Sequence, residues 1–126
     1  MPLLITRIED CLLPDDREQL LNTMEIVQRK VGGFIGRQKA SEAFTTSGGV
    51  SVILKAMKTM IKDDVVIRIG VAIFDYQKEN KIAMVEFIRF GGMMLLEDCL
   101  KIHPEDSTLG LLVPVLQRYV RGNTHV

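Results

Sequence analysis

Gly48-Gly49-Val50-Ser51-Val52-Ile53-Leu54-Lys55-Ala56-Met57 and Gly91-Gly92-Met93-Met94-Leu95-Leu96-Glu97-Asp98-Cys99-Leu100 open in the same way, 43 residues apart. A fixed period of this length marks stacked units that cannot bury their apolar faces alone. After the first Gly-Gly pair the apolar positions are Val50, Ile53, Leu54, Met57, Met60 and Ile61, one face of a helix. After the second they are Met93, Leu95, Leu96, Leu100 and Ile102, with Glu97, Asp98 and Lys101 as the polar side. Each segment meets an acidic break, Lys62-Asp63-Asp64 or Pro104-Glu105-Asp106. Carboxylates there suit the start of a following helix, where they cap free N–H groups and complement the dipole. A second apolar stretch follows each break, Val65 to Tyr76 and Leu109 to Val120.

The same order runs incompletely through the start of the chain. Leu3 to Leu13 is a short apolar segment, Pro14-Asp15-Asp16 is the break, and Leu20, Leu21, Met24, Val27 and Val31 follow at helical spacing. Gly32-Gly33 then acts as a C-terminal stop. Two short segments, Arg37 to Ser47 and Glu79 to Phe90, each lead into a Gly-Gly pair. The chain therefore reads as helix pair, short helix, helix pair, short helix, helix pair.

A period in the low forties, built from one short and two longer helices, resembles the armadillo repeat within the armadillo/HEAT class. The residues that carry the resemblance are Glu79-Asn80-Lys81 and Ile82 opening a short first helix, Val85-Glu86, and Gly91-Gly92 before the second helix. Val66 and Phe74 fall at apolar anchor positions of the third helix, and Gly70 at the small-residue position where helices approach closely. The resemblance implies an all-α single domain forming a short right-handed superhelix. Its parts would be a half repeat over 1–34, repeats over 35–76 and 77–122, and a tail over 123–126. Members that read nuclear localisation signals place Trp and Asn on the third helix. The corresponding places here hold Ala72 and Tyr76, then Pro114 and Arg118, and the chain has no Trp. Import-cargo recognition is therefore not implied. Pro114 lacks an N–H and is expected to kink or break the last helix.

By propensity alone, Val65 to Phe74 is also a good strand, and Lys81 to Phe90 could pair with it across Gln77-Lys78-Glu79-Asn80. The alternative is thus an α+β domain with one hairpin over 65–90. The repeated Gly-Gly spacing favours helix, and a helix apolar all round is what a central repeat buries between neighbours.

Composition narrows the function classes. The chain has 126 residues, 47% of them hydrophobic and 25% charged, which is globular composition. Lys plus Arg equals Asp plus Glu at 16 each, so no net charge draws it to nucleic acid or to an anionic membrane. Cys11 and Cys99 make neither a disulfide framework nor a zinc site, and are expected as free thiols in a reducing, cytoplasmic setting. No apolar run is long enough to span a bilayer, and Arg7, Glu9 and Asp10 interrupt any secretory leader.

The chemical candidates are sparse. Cys99 and His103 share a helical face, but a buried thiol and a C-terminal histidine beside the dipole account for both. Asp15-Asp16, Asp63-Asp64 and Glu105-Asp106 read as caps rather than as acid/base pairs. Gly32-Gly33-Phe34-Ile35-Gly36 follows a helical pattern and reads as a turn, not a phosphate cradle. Met57, Met60, Met84, Met93 and Met94 gather around the Gly-Gly turns as packing, or as an adaptable binding face. Lys55, Lys58 and Lys62 form one basic face and Arg29, Lys30 and Arg37 another; solvation accounts for both, with an acidic partner as the functional alternative.

No catalytic residue, metal or cofactor is expected. Stacked repeats work as surfaces, and aligned third helices make a wall for an extended peptide or a partner helix. The expected function is a non-enzymatic scaffold or adaptor that binds a protein partner through Gln28, Arg68, Ala72, Tyr76, Arg118 and Tyr119. Two alternatives stand beside it. One is a self-assembling structural module, pairing through Leu3, Leu4 and Ile5 at one end or Leu111, Leu112 and Val115 at the other. The second is a small α/β regulatory or enzymatic domain built on the hairpin.

Overall fold

A computed structural model describes residues 1–12 and 16–124 of the chain. Among them are eight helices and no strand: α1 (Pro2–Asp10), α2 (Arg17–Gly32), α3 (Arg37–Thr46), α4 (Gly49–Thr59), α5 (Asp64–Gln77), α6 (Lys81–Arg89), α7 (Gly92–Ile102) and α8 (Ser107–Thr124). The α+β alternative is overturned, since 65–90 is helix α5, a turn and helix α6.

The β-branched stretch is helical for a tertiary reason. Val66, Ile67, Ile69, Val71, Ile73 and Phe74 lie on several sides of α5, and all are buried. Helix α5 packs between α2 and α8 and also against α4. Complete burial of one such side chain contributes about 1.5–3 kcal/mol, against a helix-propensity cost of ~0.7 kcal/mol or less. The Asp63 carboxylate starts the helix by accepting N–H bonds from Val65 and Val66, at 3.1 and 3.3 Å.

The 43-residue period recurs in detail. Gly48 and Gly91, the residues before α4 and α7, both have φ in the left-handed region, at 78° and 85°. The next residues, Gly49 and Gly92, are buried under the rings of Phe44 and Phe87. A Cβ on either would stand 2.5 or 2.6 Å from the ring. Asp106 caps α8 through the Leu109 N–H at 3.1 Å, as Asp63 caps α5. Gly70 is indeed a point of close approach, since a Cβ there would meet Met57 Sδ of α4 at 2.5 Å.

Like packs on like from unit to unit. Helix α2 lies on α5 and α5 on α8, while α1 lies on α4 and α4 on α7. Phe44, Phe74 and Phe87 anchor the shared core, with the last two rings edge-on at 4.8 Å. His103, after α7, sits 2.7 Å from the Ile61 carbonyl after α4, tying successive turns together.

Two local expectations need correction. Pro114 does not break α8, which continues through it to Thr124. The missing hydrogen bond would have gone to Gly110, an exposed residue whose carbonyl water can reach. Gly32-Gly33 does end α2 as expected, with Gly33 in extended backbone (φ −75°, ψ 162°). Asp16 precedes α2 without making a side-chain cap bond, and Leu13, Pro14 and Asp15 lie outside the described residues.

Candidate functional site

The expected binding residues fall on all three long helices. Gln28 is half-buried on α2, Arg68 and Ala72 are half-buried on α5, and Tyr76 is exposed near its end. Arg118 is exposed and Tyr119 half-buried on α8. Arg68, Ala72 and Tyr76 recur every four residues and so share one face of α5. Counted from the capping aspartates, the α8 residues that match Arg68, Ala72 and Tyr76 are Leu111, Val115 and Tyr119. The places matched to Ala72 and Tyr76 are therefore Val115 and Tyr119, one residue on from Pro114 and Arg118.

Several of these side chains are already engaged within the protein. Arg68 donates to Asp64 at 2.8 Å and lies 3.6 Å from the capping carboxylate of Asp106. Arg17 of α2 similarly pairs with Asp63, its Nη2 standing 3.3 Å from Oδ1. Each capping carboxylate thus meets an arginine from the preceding long helix. Hydrogen bonding from Arg17 holds the Asp63 carboxyl below the usual range, opposed by burial and aided by the Val66 and Val65 amides. The Tyr76 ring lies where a Cβ on Gly32 would be, with Arg37 5.3 Å above its centre. Tyr119 likewise has a cation over its ring, with Lys78 Nζ 5.7 Å from the centre. Ala72 and Arg118 leave the most freedom for a partner.

Tyr76 also lines a groove of about 830 Å³ between α3 and the α5–α6 turn. Behind it lies a polar cluster that the sequence reading missed. Ser41 donates to Gln77 Oε1 at 2.6 Å, while Asn80 Nδ2 donates to Ser41 and Thr45 at 2.8 and 3.2 Å. Asn80 Oδ1 in turn caps α6 through the Ala83 N–H. The buried Gln77 Nε2 has no hydrogen-bond partner among the described residues. Asn before Lys81 signals the cap; the link to Ser41, 39 residues away, has no local signature.

The thiols sit as the structural reading expects. Cys99 is buried and burial pushes its pKa up to about 11. His103 is turned to the Ile61 carbonyl. Burial, with Asp16 and Asp10 nearby, raises the Cys11 thiol. Raised pKa values make poor nucleophiles and poor metal ligands. Among the described residues no three His, Cys, Asp or Glu side chains converge to hold a metal ion, and no helix is long and apolar enough to cross a membrane.

This chain matches no protein-family model, no curated protein and no solved structure.

Proposed function

We propose that the chain is an armadillo-like repeat module, a non-enzymatic scaffold that binds a protein partner along its long helices α2, α5 and α8. The observation that carries this reading is the recurrence, at 43 residues, of the left-handed glycine, the buried glycine under a phenylalanine, the capping aspartate and the cation-covered tyrosine. Such repetition aligns the long helices and presents their outer sides as one surface, suited to an extended peptide or helix. Gln28, Ala72 and Arg118 are the contact residues with least internal duty. Arg68, Tyr76 and Tyr119 flank them and also hold the layers together.

The test is capture and identification of a partner from the native cell, followed by affinity measurement with purified partner. Ala72→Arg combined with Arg118→Glu should weaken binding at least tenfold while the helical circular dichroism stays unchanged. Unchanged affinity in the folded double variant would remove the long-helix surface from the function.

A second reading, self-association, is favoured by the distribution of exposed apolar side chains. Ile82, Val85, Ile88, Phe90, Met94, Ile102, Leu111 and Val115 lie on or beside α6, α7 and α8, while Leu3, Phe34 and Ile35 are exposed toward the other end of the chain. The outer residues of α2, in contrast, include Glu18, Asn22, Glu25 and Arg29. At the N-terminal end Leu3 is exposed but Ile5 is buried, so the expected apolar trio is not a surface there.

A further inference from the structure

Between the second half of α2 and the first half of α3 runs a groove of about 610 Å³. Its apolar side is formed by Ile26, Ala40 and Ala43, with Ile35 from the connecting loop. Arg29, Lys30 and Lys39 stand over it, and no carboxylate lines it. Residues 26–41 carry four cations and no anion, in a chain whose total charge is zero. Among the described residues, none of the groove's three cations is in an ion pair. Arg29 donates only to the backbone carbonyl of Glu25, at 3.4 Å.

Helix stability accounts for only part of this charge. Arg29 and Lys30 occupy the last turn of α2, where cations complement the dipole. Arg37 and Lys39 occupy the beginning of α3, where the dipole opposes them, and that helix has no first-turn acid and no side-chain cap. Lys39 therefore stands against its own helix while facing a groove that already holds two cations. The loop adds an apolar element. Ile35 and Phe34 are 97% and 107% exposed, held away from the core although each is large enough to anchor it. A concave apolar floor ringed by unpaired cations complements a peptide segment that alternates carboxylates with aliphatic side chains. An anionic bilayer surface is the competing occupant, and the vesicle arm of the test separates it from the peptide.

We infer that the α2–α3 groove is a docking site for an acidic amphipathic peptide segment of a partner protein. Carboxylates of the segment pair with Arg29, Lys30 and Lys39, and its aliphatic side chains rest on Ile26, Ala40 and Ala43 beside Ile35. This site adjoins the long-helix surface, sharing α2 with it and Lys39 with the groove that Tyr76 lines, but its test uses charges outside the proposed long-helix contacts, so the two readings fail independently.

Fluorescence anisotropy tests it with a dye-labelled peptide repeating Glu-Leu-Glu, the same peptide with Lys for Glu, and phosphatidylserine vesicles. The acidic peptide should bind the full chain at low salt and weaken as salt is raised. Lys30→Glu with Lys39→Glu should weaken it at least tenfold, and Lys30→Gln with Lys39→Gln by an intermediate factor. The neutral pair carries the comparison if the reversed pair does not fold. Ala72→Arg should bind the peptide as the parent does. Absence of acidic-peptide binding overturns the inference, as does equal binding of the Lys peptide or equal binding by the folded charge variants. Vesicle capture without peptide binding also overturns it, and assigns the cations to a membrane surface.

Discussion

Gly92 and Gly110 are both helical, but their surroundings are opposite. A Cβ at Gly92 would stand 2.6 Å from the Phe87 ring, whereas at Gly110 nothing lies within 4 Å. Gly92→Ala should therefore cost about 1–3 kcal/mol through overpacking, measured by urea unfolding. Gly110→Ala should add roughly 0.5–1 kcal/mol, since only the backbone-entropy term remains. Asp63 gives a second residue-scale expectation. Its folded pKa lies below the unfolded value of about 3.9, chiefly through Arg17. The associated stability is present above that unfolded value and is lost as pH falls through the folded one. Unfolding free energy should drop below about pH 4 in the parent and drop less in Asp63→Asn, which keeps a capping oxygen but carries no charge. Equal acid sensitivity of the two chains would take Asp63 out of the account.

At the scale of the element, the unit is a short helix, a left-handed glycine and a helix whose first residue lies under a phenylalanine of the short one. Glycine and ring form one joint, so their substitutions should not add. Gly92→Ala in a Phe87→Leu background should cost at least about 1 kcal/mol less than in the parent, read from the full thermodynamic cycle. Additive costs would mean that the α6–α7 turn adjusts by moving backbone instead. Phe87→Leu alone remains expensive, because the ring also packs edge-on against Phe74 of α5. The arginine–cap contacts, Arg17 to Asp63 and Arg68 to Asp106, orient neighbouring units more than they stabilise them, since both arginines are partly exposed.

Across the whole molecule, the last long helix differs from the internal ones. Internal layers bury their long helices against the next layer, while Leu111 and Val115 of α8 remain open, at 69% and 39% exposure. Where Arg68 of α5 reaches the next cap, α8 has Leu111. If this end self-associates, sedimentation should give a concentration-dependent mass above 14.2 kDa, and Leu111→Lys with Val115→Lys should return it to 14.2 kDa. A constant 14.2 kDa for the parent at high concentration would exclude that reading.

The sequence by itself determined the helix order and the period. Gly-Gly pairs, helical spacing and acidic breaks are local signals, because backbone conformation and capping depend on a few neighbouring residues. Helices α4, α5, α7 and α8 stand where those signals put them, and Asp63 and Asp106 are caps. At Val65 to Phe74 the sequence favoured helix but left a hairpin open, and the tertiary structure closed that choice, since burial against α2, α4 and α8 outweighs β-branched propensity. It alone set the α8 register, carried α8 through Pro114, and joined Ser41 to Asn80. Arg29 and Lys30 were legible as a basic face, but their meeting with Lys39 over one apolar floor depends on the angle between α2 and α3. That angle comes from packing between residues distant along the chain, which local sequence does not encode.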